Sequence, residues 1–268
     1  MINFEIMSDF LDTDFLNFLN ATKLVLILFG IVFLRYILFS SACHYLLKSL
    51  FQHRLLHEKV IDGRQLKKEI LYSAFTSFIF AISGWAMILL WQRGLVKIYV
   101  EWDTFSWWYW PFSVIIYLLL HETYYYWLHR WMHHPGVYKR VHKVHHDSLH
   151  TSAMTSFSFH PIESILQAAI IPILTLLVPI HIYGLFLLLM IMTISGTINH
   201  IGFEMFPSWW NKHPITKWII GATHHDLHHK KFTFNFGLYF TFWDRLMKTE
   251  HEDLARVFSN FGERDSDK

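Results

Sequence analysis

Long apolar runs separated by polar intervals divide this chain, and their lengths predict helices. Residues 24–47 (LVLILFGIVFLRYILFSSACHYLL) and 70–91 (ILYSAFTSFIFAISGWAMILLW) each supply the roughly 20 apolar residues that cross a bilayer core. Arg35 interrupts the first run and must snorkel or face a partner. A third run, 111–130, leads directly into a histidine-rich stretch. Two more, 162–180 and 182–198, flank a break at Pro179 and His181 and predict a helical hairpin that enters and leaves by one face. The interval 48–69 is basic, with Lys48, Arg54, Lys59, Arg64, Lys67 and Lys68. Trp102, Trp107, Trp108 and Trp110 follow the second run, as an interfacial aromatic belt would. The tail after His251 is charged and reads as frayed. The pattern predicts an all-α integral membrane protein with about four transmembrane helices. Its parts are two single spans, one span leading into the histidines, one helical hairpin and a histidine-rich cytoplasmic cap.

Loop charge orients this set. The basic 48–69 interval belongs inside, and the acidic N-terminus (Glu5, Asp9, Asp12, Asp14) outside. The third run then delivers His129 to the cytoplasmic face, and the hairpin returns the chain there, so that all histidine clusters can meet. The same N-terminus lacks the basic region of a cleavable signal peptide.

Composition supports a membrane protein: 53% of residues are hydrophobic, 18% aromatic and only 16% charged. A net charge of +2, with no basic tract interleaved with aromatics, gives no reason to expect nucleic acid. Cys43 is the only cysteine, which excludes an intrachain disulfide and thiolate-held zinc or iron–sulfur sites. Any metal must be held by imidazole, carboxylate or water.

The candidate chemistry lies in the histidines. Nine of the twenty fall between His121 and His160. His129 and His133 are spaced to share one helix face, as are His142, His145 and His146. A third cluster follows at His224, His225, His228 and His229. So many imidazoles at ligand spacing fit two metals better than one, because a catalytic zinc needs about three protein ligands. Imidazole suits iron as well as zinc, so ligand type alone does not choose. His121-Glu122 begins like a zincin helix, but Tyr125 stands where the second histidine belongs. Haem is disfavoured because the histidines cluster where spans end. A metal carrier is disfavoured because the spans offer few ionisable residues beyond Arg35.

HRWMHH at 129–134, HKVHH at 142–146 and HHDLHH at 224–229 resemble the three histidine boxes of the fatty acid hydroxylase superfamily, the membrane group of sterol desaturases, methylsterol oxidases and sphingolipid hydroxylases. The resemblance covers roughly 110–250 and includes YWLHR at 126–130, FHPIE at 159–163, NHIGFEMFP at 199–207 and NFGLYFTFWDRLMKT at 235–249. It implies a catalytic domain over 111–250, preceded by a tail and two spans over 1–110 and followed by a charged tail over 251–268. It also implies a membrane-bound non-haem diiron oxygenase that uses dioxygen and external electrons to hydroxylate or desaturate a sterol, fatty acyl or sphingolipid substrate. By motif, the ligands would be His129, His133, His142, His145, His146, His225, His228 and His229, with His200 at a further family position and His224 as an additional candidate. His134 competes with His133, and His160 reads as a cap or support. Glu122, Asp226 and Asp244 are candidates to orient the rings. Tyr124, Tyr125, Tyr126 and Trp127 are candidates to shape an apolar channel.

The chain carries no iron–sulfur ligands, dinucleotide motif or spare histidine pair for haem, so electrons must come from an external protein. A ferredoxin, or a small b-type cytochrome with an NAD(P)H reductase, would dock near Lys139, Arg140 and Lys143. The membrane would be a bacterial inner membrane or the endoplasmic reticulum. The alternative is a non-redox membrane zinc protein, a hydrolase or metal binder, which needs a general base near an open metal position.

Overall fold

The computed structural model describes residue 10, residues 12–57 and residues 62–266, with side chains as far as Phe261. Glu5, Asp9 and Lys59, used above to orient the chain, lie outside the described residues.

Among the described residues the fold is helical, with one short strand pair. Helix α1, Phe18–Ala42, continues as a π-helical turn through Cys43–Leu47 and starts at Asn17, whose side chain accepts from the amides of Leu19 and Asn20. Helix α2 spans Gly63–Gln92 and α3 spans Tyr109–Met132. The short helices α4, Pro135–Val141, and α5, Lys143–His146, follow. Helices α6, Pro161–Leu177, and α7, Ile182–His200, follow, and each packs against α3. Helix α8 is Ala222–Lys231, α9 is Phe242–Leu246 and α10 is Asp253–Ser266. Proline begins α4 and α6, where its missing N–H is not needed, and His134 and His160 cap these helices by accepting from the amides of Gly136 and Ile162. Strand β1, Ile98–Tyr99, pairs in parallel with β2, Ile180–His181, which joins α6 to α7.

Among the described residues, three helices are long and apolar enough to cross a membrane: Phe18–Leu47, Gly63–Gln92 and Ile182–His200. Helix α3 is long enough but two-faced. It buries His121, Glu122, Tyr125, Tyr126 and His129 and exposes Phe112, Ile115, Leu119 and Leu120. That reverses the usual amphipathic helix, with polar groups inward and apolar groups outward. Helix α6, with 17 residues, does the same: Glu163 and Ser164 are buried while Ile162, Ile165, Ile173 and Leu177 are exposed. The runs 111–130 and 162–180 therefore differ from uniformly apolar spans because one face of each serves the interior.

At the end away from the histidine boxes, Val96, Ile98, Tyr117, Ile171, Leu174 and Ile180 form the main apolar core. The tail expected to fray is helical: Leu254 and Phe258 of α10 pack against Leu227 of α8, with Phe206 and Trp210 beside them. Apolar residues at 254, 258 and 261 repeat at helical spacing, a stripe that the high charge of the tail hides.

Candidate metal centre

Nine buried or half-buried histidines, from four helices and the residues adjoining them, converge beyond the C-terminal end of α3. His129 comes from α3 and His133 directly follows it. His142 sits at the junction of α4 and α5, and His145 and His146 belong to α5. His200 ends α7, and His225, His228 and His229 line α8. They sort into two groups, His129, His133, His142, His146 and His228 in one and His145, His200, His225 and His229 in the other. Within each group the ligand atoms all lie within 4.8 Å of one another. Helical phase explains the sorting. The i, i+4 pairs 129/133, 142/146 and 225/229 each stay within one group, whereas His145 and His228 face the other group from their box partners. The groups abut, with the His146 and His229 rings 4.5 Å apart.

Hydrogen bonds on the outer nitrogens set the tautomers. His129 Nδ1 donates to Phe236 O at 2.8 Å, His228 Nδ1 to Phe234 O at 2.6 Å, and His200 Nδ1 to Gly196 O at 2.7 Å. His142 Nδ1 meets Glu163 Oε1 at 2.8 Å, and His145 Nδ1 meets Ser158 O at 3.3 Å. A carbonyl only accepts, so the Nδ1 atoms of His129, His145, His200 and His228 carry the proton and their Nε2 atoms present lone pairs inward, and an ionised Glu163 sets His142 the same way. The Nε2 atoms of His129 and His142 are nevertheless 3.1 Å apart, as are those of His145 and His200. The Nε2 atoms of His200 and His225 are 2.9 Å apart. Nitrogens this close can share a cation. Adjacent nitrogens about 2.1 Å from one metal stand roughly 3 Å apart in octahedral geometry, so the donor set fits a metal in each group. Both nitrogens of His229 are buried without a hydrogen-bond partner, a cost of about 1–3 kcal/mol that coordination relieves. Burial first, and neighbouring imidazoles second, push His142, His145, His146, His225, His228 and His229 well below the usual histidine range. They are therefore neutral, the form that binds metal.

His133, not His134, enters the first group, because His134 is exposed and occupied as a helix cap. His224 belongs to neither group: its Nε2 lies 3.5 Å from Asp244 Oδ2 on the opposite side of α8. Spacing could not separate it, since 224/228 is as good an i, i+4 pair as 225/229. Glu163 was not singled out from the sequence, although it closes the FHPIE stretch, and it is the carboxylate that meets a candidate ligand ring directly.

The three carboxylates expected to orient the rings instead anchor neighbouring segments. Glu122 accepts from the amides of Leu238 at 3.2 Å and Tyr239 at 2.7 Å. Asp244 accepts from the amides of Phe236 and Gly237, both at 2.9 Å, and burial pushes it up to about 6. Together they fix the segment whose Phe236 carbonyl holds His129. Gly237 permits this approach, since a Cβ there would lie 2.6 Å from Phe240 O and 3.0 Å from Glu122 Oε1. Asp226 pairs with His57 and Lys230, both at 2.7 Å, and ties α8 to the segment after α1. His121 of the false zincin motif lies 3.1 Å from the Tyr239 hydroxyl. Of the aromatic run, Tyr125 and Tyr126 are core residues, while Trp127 opens onto a cleft of about 400 Å3 lined also by Arg130, Trp131, His133, Thr233 and Phe236.

Helices with apolar outer faces around a buried cage of neutral imidazoles define a membrane-type protein built to hold metal. The fatty acid hydroxylase family model matches residues 114–249, and the chain belongs to that family. A Delta(7)-sterol 5(6)-desaturase of Gibberella zeae is 32% identical over 228 residues, covering 84% of this chain and 67% of that protein. The lathosterol oxidase of Homo sapiens is 33% identical over 201 residues, covering 73% of this chain and 64% of the relative. A Delta(7)-sterol 5(6)-desaturase of Candida dubliniensis is 27% identical, with coverage of 89% and 61%. The chain thus spans about two thirds of the length of these curated relatives. No solved structure matches it.

Proposed function

We propose that this protein is a membrane-bound non-haem diiron oxygenase that oxidises a sterol-class lipid with dioxygen and external electrons. The observation that carries this reading is the convergence of two sets of buried or half-buried histidine nitrogens, each set within 4.8 Å, one per metal position. His129, His133, His142, His146 and His228 would hold one iron, and His145, His200, His225 and His229 the other. Bound there, the irons would supply dioxygen activation and removal of hydrogen from an unactivated C–H bond. The chain's own contribution is to orient five of the nine rings through partners on Nδ1 and to bury the cage away from water. Glu163 polarises His142, and the Phe234 and Phe236 carbonyls fix His228 and His129. The relatives' names favour a sterol over a fatty acyl or sphingolipid substrate and desaturation over hydroxylation.

The same reading gives the chain about four membrane-crossing segments, with α3 and the α6–α7 hairpin added to the two N-terminal spans. The catalytic domain is 111–250, between an N-terminal unit at 1–110 and a tail at 251–268. The histidine cage lies on the cytoplasmic face, where the exposed Lys139, Arg140 and Lys143 offer a docking patch to an acidic electron carrier. The zinc hydrolase alternative is disfavoured because Glu122, its general base, is occupied by two backbone amides.

The test is product formation from a Δ7-sterol by purified protein loaded with ferrous iron, supplied with a ferredoxin or cytochrome system, and assayed with and without dioxygen. Product that requires dioxygen, iron and the carrier is expected. Turnover with zinc, or with NAD(P)H and no carrier, would overturn the proposal.

A further inference from the structure

The cleft beside the first histidine group has a composition that the metal site does not account for. It is lined by His133 and Phe236 and, from the end of α3, by Trp127, Arg130 and Trp131. Trp127 and Trp131 are 43% and 49% exposed, on the helix whose outer face is otherwise apolar. Arg130 lies between them in sequence. Its guanidinium sits 5.8 Å from the Trp127 ring and 3.5 Å from the Tyr126 hydroxyl, and among the described residues it has no carboxylate partner. Such a planar cation presents donors to an oxygen acceptor, while its aromatic neighbours suit the boundary between water and lipid. A cleft of about 400 Å3 falls within the range of small-molecule sites.

We propose that Arg130 binds the oxygen-bearing polar end of the lipid substrate at the rim of this cleft, so that the carbon oxidised lies close to that end. This rests on the oxygenase reading above and specifies its regiochemistry. Arg130 and His133 are three residues apart on one helical turn, with Cβ atoms about 5–6 Å apart. A lipid held by its polar end at Arg130 therefore presents its first few carbons to the His133 side of the cage. The apolar remainder leaves between Trp127 and Trp131 toward the bilayer. A sterol hydroxyl and an acyl carboxylate share the necessary oxygen chemistry.

Equilibrium binding to metal-free protein in phosphatidylcholine nanodiscs separates this from turnover. The probes are a labelled 3-hydroxysterol, its 3-deoxy analogue and a long-chain fatty acid. Arg130→Gln is expected to weaken hydroxysterol binding roughly ten- to hundredfold, the size of a hydrogen bond to a charged group, and to leave the deoxy analogue unchanged. Arg130→Lys should restore part of the loss. A larger loss for the fatty acid than for the sterol would make a carboxylate the polar end and support the assignment. Equal binding of all three probes by Arg130→Gln and wild type would overturn it, and so would an equal loss for the deoxy analogue. Displacement of the sterol by phosphatidylglycerol at the same site would also overturn it. If wild type shows no dioxygen-dependent turnover of any lipid, the oxygenase reading fails. If wild type turns over and Arg130→Gln keeps its KM, only the Arg130 assignment fails.

Discussion

Replacing Glu163 tests whether the cage is organised from outside its ligand shell. Glu163 Oε1 lies 2.8 Å from His142 Nδ1 and 3.0 Å from Gln167 Nε2, and neither the Glu163 nor the His142 side chain is more than 1% exposed. In Glu163→Ala, His142 loses the acceptor for its Nδ1 proton. An orphaned buried donor costs about 1–3 kcal/mol. The lost polarisation also makes Nε2 a weaker metal donor, and such outer partners typically account for 10–100-fold in metal affinity. That range corresponds to roughly 1.4–2.7 kcal/mol, in agreement with the cost of the orphaned donor. Glu163→Gln keeps an acceptor of the same shape without the charge and should fall between wild type and Glu163→Ala. Chelator competition on purified protein reads the affinity, and near-ultraviolet circular dichroism checks that the fold survives. Wild-type affinity in a folded Glu163→Ala protein would refute the reasoning, because His142 would then be oriented by something else.

Three other outcomes follow from the same geometry. His145→Ala and His228→Ala, one from each group, should each reduce bound metal and lower activity by more than about a hundredfold, whereas substitution of His213, an exposed residue outside both groups, should change neither. Six imidazoles of the cage lie well below the usual histidine range, so below about pH 6.5 the unfolded chain takes up protons that the metal-free native cage refuses. The metal-free protein is therefore less stable at acid pH; denaturant midpoints that match at about pH 7.5 and about pH 5.5, roughly one unit below the usual histidine value, would contradict this. In a Cys43→Ser background, cysteines introduced at Phe105 and Lys230 should react with an impermeant label from opposite sides of the membrane, and labelling from one side would break the proposed topology.

The cage was largely legible because metal ligation and helical phase write the same spacing into a sequence. His129/His133, His142/His146 and His225/His229 could be paired from number alone. What spacing could not decide was direction. His224 matches His228 as well as His225 matches His229, and only the packing of α8, with Asp244 on the far side, turns His224 away. Glu163 was hidden because a carboxylate early in a helix reads as a dipole partner, and its contact with His142 crosses 21 residues. Glu122 was legible as a buried carboxylate of α3, but its partners are amides 116 and 117 residues away, which no local pattern encodes. The long apolar runs announced the outer helices. The two-faced α3 and α6 blur that signal, since the groups that serve the site interrupt the hydropathy that marks a span.

The central claim is a two-metal cage that uses dioxygen, and metal counting tests it most directly. Protein reconstituted anaerobically with ferrous iron, washed and analysed by elemental assay with Mössbauer spectroscopy should hold two irons per chain. Alanine at His145 or at His228 should each reduce that number, and adding dioxygen with a reduced carrier and a sterol should yield oxidised sterol. A single metal site per chain, or full iron binding with no dioxygen-dependent product, would contradict the account.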